Sequence, residues 1–188
     1  MQDISEDILT RASQGDIQAF EEVYKTTSSF VYNVALRIVN NQEDAKEVTQ
    51  EVFIIIYNKL KNFRFESAFK TWVYRITANY AINFAKKNSR IKTAPFDEAL
   101  GEGAVENEAE AHIEEEHQSQ AVENLLKEIN PDQRACVVLR NIEGLSYQEI
   151  AKALNININT VRSRLKRARE KLMAVKQQVR GLTAADTL

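Results

Sequence analysis

GLSYQEIAKALNININTVRSRLKRAREKL, residues 144–172, decides the fold class of this 188-residue chain. Ser146 stands three residues before Glu149, so hydroxyl and carboxylate can each bond the other's backbone N–H in a capping box, and Ile150, Ala151 and Leu154 give the helix that follows one buried side. Asn155 tolerates the left-handed conformation and stops that helix, and Asn157 is a good cap for the next. The few residues between them have the spacing of a helix-turn-helix. In the second helix Val161, Leu165, Ala168 and Leu172 fall at i, i+4, i+7 and i+11, a single apolar stripe. The opposite face carries Asn159, Ser163, Lys166 and Arg167, with Arg162 beside them. Such a helix fits the major groove of B-DNA, where Arg and Lys pair with guanine and Asn with adenine. Arg164, Arg169 and Lys171 lie towards the flanks, where cations neutralise phosphates. A basic helix can equally be solvated surface, but caps, turn and stripe agree here, which favours DNA.

The same three- and four-residue apolar spacing runs through most of the chain without a period-2 stretch, so the fold class expected is all-α. Helices are predicted at about 4–13, 16–39, 43–61, 68–88, 106–129, 132–142, 147–154 and 158–176. Charge divides them. From Lys59 to Lys92 nine bases face the single acid Glu66; from Thr93 to Asp132 twelve acids face only Lys127; from Ile158 to Arg180 eight bases face Glu170. A formal net charge of −2 therefore conceals two positive regions flanking an acidic one. TAPFDEALGEGAVENEAEA, with Pro95, Gly101 and Gly103 among small and acidic residues, has linker composition. The expected organisation is two small helical domains, 1–92 and 119–180, joined by an acidic linker and the start of a connecting helix at 93–118, with a tail at 181–188. An apolar content of 44% and a charged content of 28% suit a folded globular chain rather than a disordered one. The acidic start has no basic segment followed by an apolar core, and the longest apolar run, Val52 to Tyr57, is too short to span a bilayer; a cytoplasmic protein without membrane insertion is expected.

In the first domain, DAKEVTQEVFIIIYNKL from Asp44 has an apolar stripe of Ala45, Val48, Val52, Ile55, Ile56 and Leu60. Its other side sets Ile54 among Glu47, Gln50, Glu51 and Asn58, which reads either as an isolated exposed apolar residue or as an interface anchor with a polar rim. FRFESAFKTWVYRITANYAINFAKKNSR, from Phe63, interleaves Phe63, Phe65, Phe69, Trp72, Tyr74, Tyr80 and Phe84 with Arg64, Lys70, Arg75, Lys86 and Lys87. Aromatic rings among cations suit single-stranded nucleic acid. Phe69, Trp72, Ile76 and Tyr80, at helical spacing, are expected in the core instead. Asn79 and Asn83, one turn apart, could read base edges.

The stretch 144–172, with INPDQRACVVLRNIEGLS before it, resembles the promoter-binding C-terminal domain of bacterial sigma factors of the sigma-70 family, particularly the extracytoplasmic-function (ECF) class. The segment from Asp44 resembles the sigma-factor helix that docks on the coiled coil of the RNA polymerase β′ subunit, and the segment from Phe63 resembles the part that melts and reads the minus-ten element. The similarity covers roughly 10–90 and 120–176, and two such signatures in this order are more specific than either alone. The resemblance implies minus-35 contacts by Asn159, Thr160, Arg162, Ser163, Arg164, Lys166 and Arg167. It implies a minus-ten surface of Phe63, Arg64, Phe65, Ser67, Lys70, Arg75, Asn79, Asn83, Lys86 and Lys87, with the loop Phe63 to Ser67 holding a flipped base. A polymerase-binding surface of Asp44, Glu47, Gln50, Glu51, Ile54 and Asn58 is implied too. The implied partners are core RNA polymerase, through its β′ coiled coil and β subunit, promoter DNA and an anti-sigma factor. Two departures stand out: Phe65 occupies a position where many members have Gly, and Asn157 and Asn159 replace the Pro and small residue often found at the start of the recognition helix.

An enzyme is the first alternative, because Glu114 and His117 in HIEEEH have the spacing of a di-iron helical pair. The other histidine, His112, lies in the same stretch, so a solvated acidic helix is favoured, with no metal, no cofactor and no catalytic residue expected. Cys136, between Ala135 and Val137, has the setting of a buried core thiol, with redox sensing as its alternative. The other rival is a two-domain regulator that binds duplex DNA as a dimer without polymerase, which leaves the aromatic and basic segment without a purpose.

Overall fold

Capping side chains begin the helices of the N-terminal half. Ser5 accepts from Ile8 N and starts α1 (Glu6–Ser13), Asp16 accepts from Ala19 N and starts α2 (Ile17–Val39), and Asn41 accepts from Asp44 N and starts α3 (Gln42–Leu60). Asn40 ends α2 in the left-handed region at φ 59°, one of the few side chains that visits it cheaply. A loop then leads to α4 (Phe69–Lys92). The computed structural model describes residues 4–65, 67–92 and 124–185, with side chains described through 89 in the second portion and through 175 in the last. The expected linker, most of the expected helix at 106–129, and His112, Glu114 and His117 lie outside the described residues.

The C-terminal half starts with a helical turn at 124–127 and α5 (Pro131–Val137), where Asn130 and Gln133 form a capping box and Pro131 fills a position that needs no N–H. The helix expected at 132–142 does not stay regular: it continues as a π-helical turn (Val138–Ile142), closed by bonds from Glu143 N to Val138 O and from Leu145 N to Leu139 O. Gly144 at φ 73° then turns the chain into α6 (Tyr147–Leu154), whose Ser146–Glu149 capping box is complete. Asn155 ends α6 in the left-handed region, and α7 (Ile158–Ala185) follows. Every regular element among the described residues is helical.

Helices α2, α3 and α4 pack on one another with α1 against α2, while α5 and α6 pack on α7. The two groups also meet, since α4 packs on α5 and α6, and α2 packs on α5. Helix α4 is therefore covered on two sides, which changes the expected core face. Phe69 is buried, but Trp72, Ile76 and Tyr80 are only half-buried, and the deepest residues are Val73, Tyr74, Thr77, Ala78, Ala81 and Ile82. Small residues let α4 approach neighbours on both sides. In α3, likewise, Phe53 is buried whereas Ile55 is only partly so.

Candidate polymerase and nucleic-acid surfaces

Helix α7 presents its faces as its sequence divides them. Asn157 starts it by accepting from Asn159 N at 2.8 Å; Val161, Leu165 and Ala168 are buried, and Leu172 packs against them. Asn159, Arg162, Ser163, Lys166, Arg167, Arg169 and Lys171 are exposed, and Thr160 is partly so. The Asn159 Oδ1 accepts from Arg162 Nη1 at 2.9 Å, so these two candidate base readers are held as a pair. Arg164 differs: it is partly covered and reaches Asp132 on α5 at 2.9 Å. Cys136, in the same neighbourhood, is fully buried, and its thiol is pushed up to about 11 by desolvation, so it is protonated at neutral pH.

On the N-terminal unit, the aromatic rings form a cluster rather than a row. Phe63 meets Phe65, Trp72 and Phe69 at centroid distances of 4.9, 5.2 and 5.6 Å, and Phe65 is 45% exposed at its edge. Phe65 also takes φ 58°, a left-handed backbone that disfavours a bulky side chain. Tyr74 is 1% exposed and packs against Phe30, so it belongs to the core and cannot be a stacking platform in this arrangement. Arg64, Ser67, Arg75, Asn83 and Lys87 are exposed, whereas the Lys70 ammonium lies over the Phe30 and Tyr74 rings. Asn79 is not equivalent to Asn83: its amide donates to Arg75 O at 2.7 Å and to Ala153 O of α6 at 2.9 Å. Lys86 is likewise engaged, 2.7 Å from Asp132.

The outer side of α3 leaves Ile54 54% exposed, among exposed Glu47, Gln50 and Asn58 and partly exposed Glu51. Asp44 sits at the margin, accepting from Asn88 of α4 at 3.5 Å. On this margin Tyr80 has its pKa raised by burial and then by Glu51 and Glu47. Two residues not foreseen from the sequence extend the apolar part of this surface, Tyr57 on α3 and Tyr24 on α2, both exposed, and Ile17 at the start of α2 is exposed as well. Phe20 supports Tyr57 edge-on at 4.9 Å, and Phe53 supports Tyr24 at 4.5 Å. Their signal in the sequence was the apolar surplus of α2 and α3 beyond what one buried stripe requires. A groove of about 540 Å³ between the two helices, lined by Tyr24, Tyr32, Lys46 and Gln50 among others, adjoins this surface.

Comparison with known proteins matches both halves. Residues 23–91 match the family Sigma-70 region 2, and residues 119–172 match Sigma-70, region 4. The chain is 34% identical over 173 residues to the ECF RNA polymerase sigma-E factor of Haemophilus influenzae, covering 87% of this chain and 90% of that one. It is 32% identical over 160 residues to the ECF RNA polymerase sigma factor SigE of Mycolicibacterium smegmatis, covering 85% of this chain but 62% of the longer relative. Among solved structures, the sigma factor RpoE of Bartonella quintana, in complex with the anti-sigma factor NepR, shares the fold with a TM-score of 0.64 at 20% identity, covering 86% of this chain and 98% of that one. The chain belongs to the sigma-70 family of RNA polymerase sigma factors, in its ECF class.

Proposed function

We propose that the chain confers promoter specificity on core RNA polymerase by dividing the work among three surfaces. The outer side of α3, centred on Ile54 and extended by Tyr57 and Tyr24, takes the β′ coiled coil as an apolar anchor within a polar rim. The loop from Phe63 to Ser67 and the outer side of α4 take the unpaired minus-ten strand, because exposed rings beside cations bind bases only when these are unstacked. The first turns of α7 read the minus-35 duplex, and β supports that domain. The reaction chemistry belongs to the polymerase, so the chain acts in the cytoplasm without metal, cofactor or catalytic residue of its own. An anti-sigma factor is the third partner, as in the Bartonella complex.

The observation that carries this assignment is the division of α7: Val161, Leu165 and Ala168 buried beneath a rank of exposed Arg162, Ser163, Lys166 and Arg167, on the second helix of a helix-turn-helix. Reconstitution with core polymerase on a library of promoter fragments tests it. Transcripts starting at a defined distance from a shared pair of sequence elements are expected only when both proteins are present. Binding of the chain to duplex sites as a dimer, with no effect on polymerase, would refute it.

A further inference from the structure

The first turns of α7 are organised before any ligand arrives. Asn157 Oδ1 accepts from Asn159 N at 2.8 Å and fixes the backbone from which the Asn159 side chain projects. Asn159 Oδ1 in turn accepts from Arg162 Nη1 at 2.9 Å, about one helical turn further on. Asn157, Asn159 and Arg162 are all exposed, so this chain of bonds lies on the open face of the helix. Ser163, beside Arg162, donates its hydroxyl hydrogen to Thr160 O at 3.0 Å. The other cations of the face are held less firmly: the Lys166 ammonium lies 3.8 Å from Glu170, and among the described residues Arg167 has no hydrogen bond from its side chain.

We propose that Asn159 is a positioning residue, which aims the guanidinium of Arg162 at a guanine of the minus-35 element and does not read a base itself. The inference rests on the assignment of α7 to the minus-35 duplex. A guanidinium donates from every one of its nitrogens, and the bond to Asn159 occupies only Nη1. Nε and Nη2 keep a parallel pair of N–H groups, an edge that fits guanine O6 and N7 together. A long side chain that is immobilised on binding gives up rotational freedom, and one already bonded in place has less of it to lose. Asn159 is itself short of an acceptor. An amide reads adenine with its oxygen and its nitrogen at once, and here the oxygen is engaged by Arg162. The two residues therefore address one base pair between them, through the arginine.

Asn159→Asp separates positioning from reading. Its carboxylate keeps an acceptor for Arg162 but has no N–H to give to adenine N7, and in the first turn of α7 an acid also suits the helix dipole. The test compares holoenzymes of the full-length wild type, Asn159→Ala, Asn159→Asp and Arg162→Ala on promoters with a randomised minus-35 element. Arg162→Ala should abolish a guanine preference at one position. Asn159→Ala should lower that same preference about three- to tenfold and leave every other position within about twofold of wild type. Asn159→Asp should return the guanine preference to within about twofold of wild type, while weakening all sequences alike because a negative charge approaches phosphate. In the free chain, NMR relaxation should show the Arg162 Nε–H to be more ordered than that of Arg167, a difference that Asn159→Ala removes and Asn159→Asp keeps. Loss of an adenine preference at a separate position in both Asn159 variants would make Asn159 a reader in its own right and overturn the proposal. Equal mobility of the two arginines in wild type would overturn it too. A guanine preference that is lost in Arg162→Ala but intact in Asn159→Ala would sink the positioning role alone, whereas no change of preference even in Arg162→Ala would strike at the assignment of α7 to base reading as well.

Discussion

Helices α4 and α7 are both long and both basic, yet their charged faces stand in opposite situations. Helix α7 packs on α5 and α6 through one stripe and leaves Arg162, Lys166 and Arg167 open to solvent. Helix α4 is enclosed by α2 and α3 on one side and by α5 and α6 on the other, and two of the groups proposed to meet DNA, Asn79 and Lys86, are bonded to Ala153 and Asp132. The first already presents its proposed reading face. The second has part of its polar face engaged by α5 and by α6.

The sharpest way to break the contrast is to remove what presents α7. Leu165 is 1% exposed at the centre of the stripe, and Leu165→Ala should cost about 2–5 kcal/mol in denaturant unfolding, because the cavity cannot collapse between three helices. Minus-35 binding should fall with it. A loss below about 1 kcal/mol would mean that α7 is not anchored by that stripe.

How much was legible follows from the same contrast. The Ser146–Glu149 box, the stop at Asn155 and the stripe from Val161 to Ala168 are local features, settled by residues within one or two turns, and they could be read from spacing alone. The core face of α4 could not. Periodicity assumes one buried side, so it selected Trp72, Ile76 and Tyr80, while enclosure from two sides buries Val73, Tyr74, Ala78 and Ala81 instead. The π-helical turn at Val138–Ile142 inserts a step that no apolar pattern announces. Among candidate site residues, Ile54 stood out as an apolar residue off its stripe, but the bonds of Asn79, Lys86 and Arg164 depend on α5 and α6, far along the chain.

On α3 the comparison extends to a protein partner. Ile54→Arg should weaken binding to core polymerase by at least about 2 kcal/mol and leave the helical signal and unfolding midpoint unchanged, since the side chain is more than half exposed. Undiminished co-elution with core polymerase would remove Ile54 from the interface. Next in size are the proposed base readers of α7. Arg162→Ala or Lys166→Ala should cost about 1–3 kcal/mol on the cognate minus-35 site and relax discrimination at one position, whereas Lys171→Ala should weaken all sequences alike and reduce the salt slope by about 1. Because Asn159 holds Arg162, Asn159→Ala and Arg162→Ala should be less than additive, with preference lost at the same base pair. Titrations against a randomised site at two salt concentrations check all four variants; uniform losses throughout would mean that α7 supplies only charge.

The smallest effect concerns Phe65, where the two situations meet in one residue: a ring packed on Phe63 at one edge and exposed at the other, on a backbone at φ 58°. A left-handed conformation costs a non-glycine residue about 1–2 kcal/mol, and a half-exposed ring recovers only part of that by packing. Phe65→Gly should therefore change stability by less than about 1 kcal/mol, in the stabilising direction, because glycine adopts this backbone without strain while the ring contact is lost. Phe65→Ala keeps the strain and loses the ring, so it should be destabilising. The opposite signs, read from chemical denaturation of the three proteins side by side, separate backbone from side chain. If both variants lose stability equally, the ring's packing outweighs the strain and Phe65 is structural. If only alanine is worse than phenylalanine, the chain tolerates a strained aromatic where glycine would fit better, and the reason for keeping it lies in what the exposed edge of the ring meets.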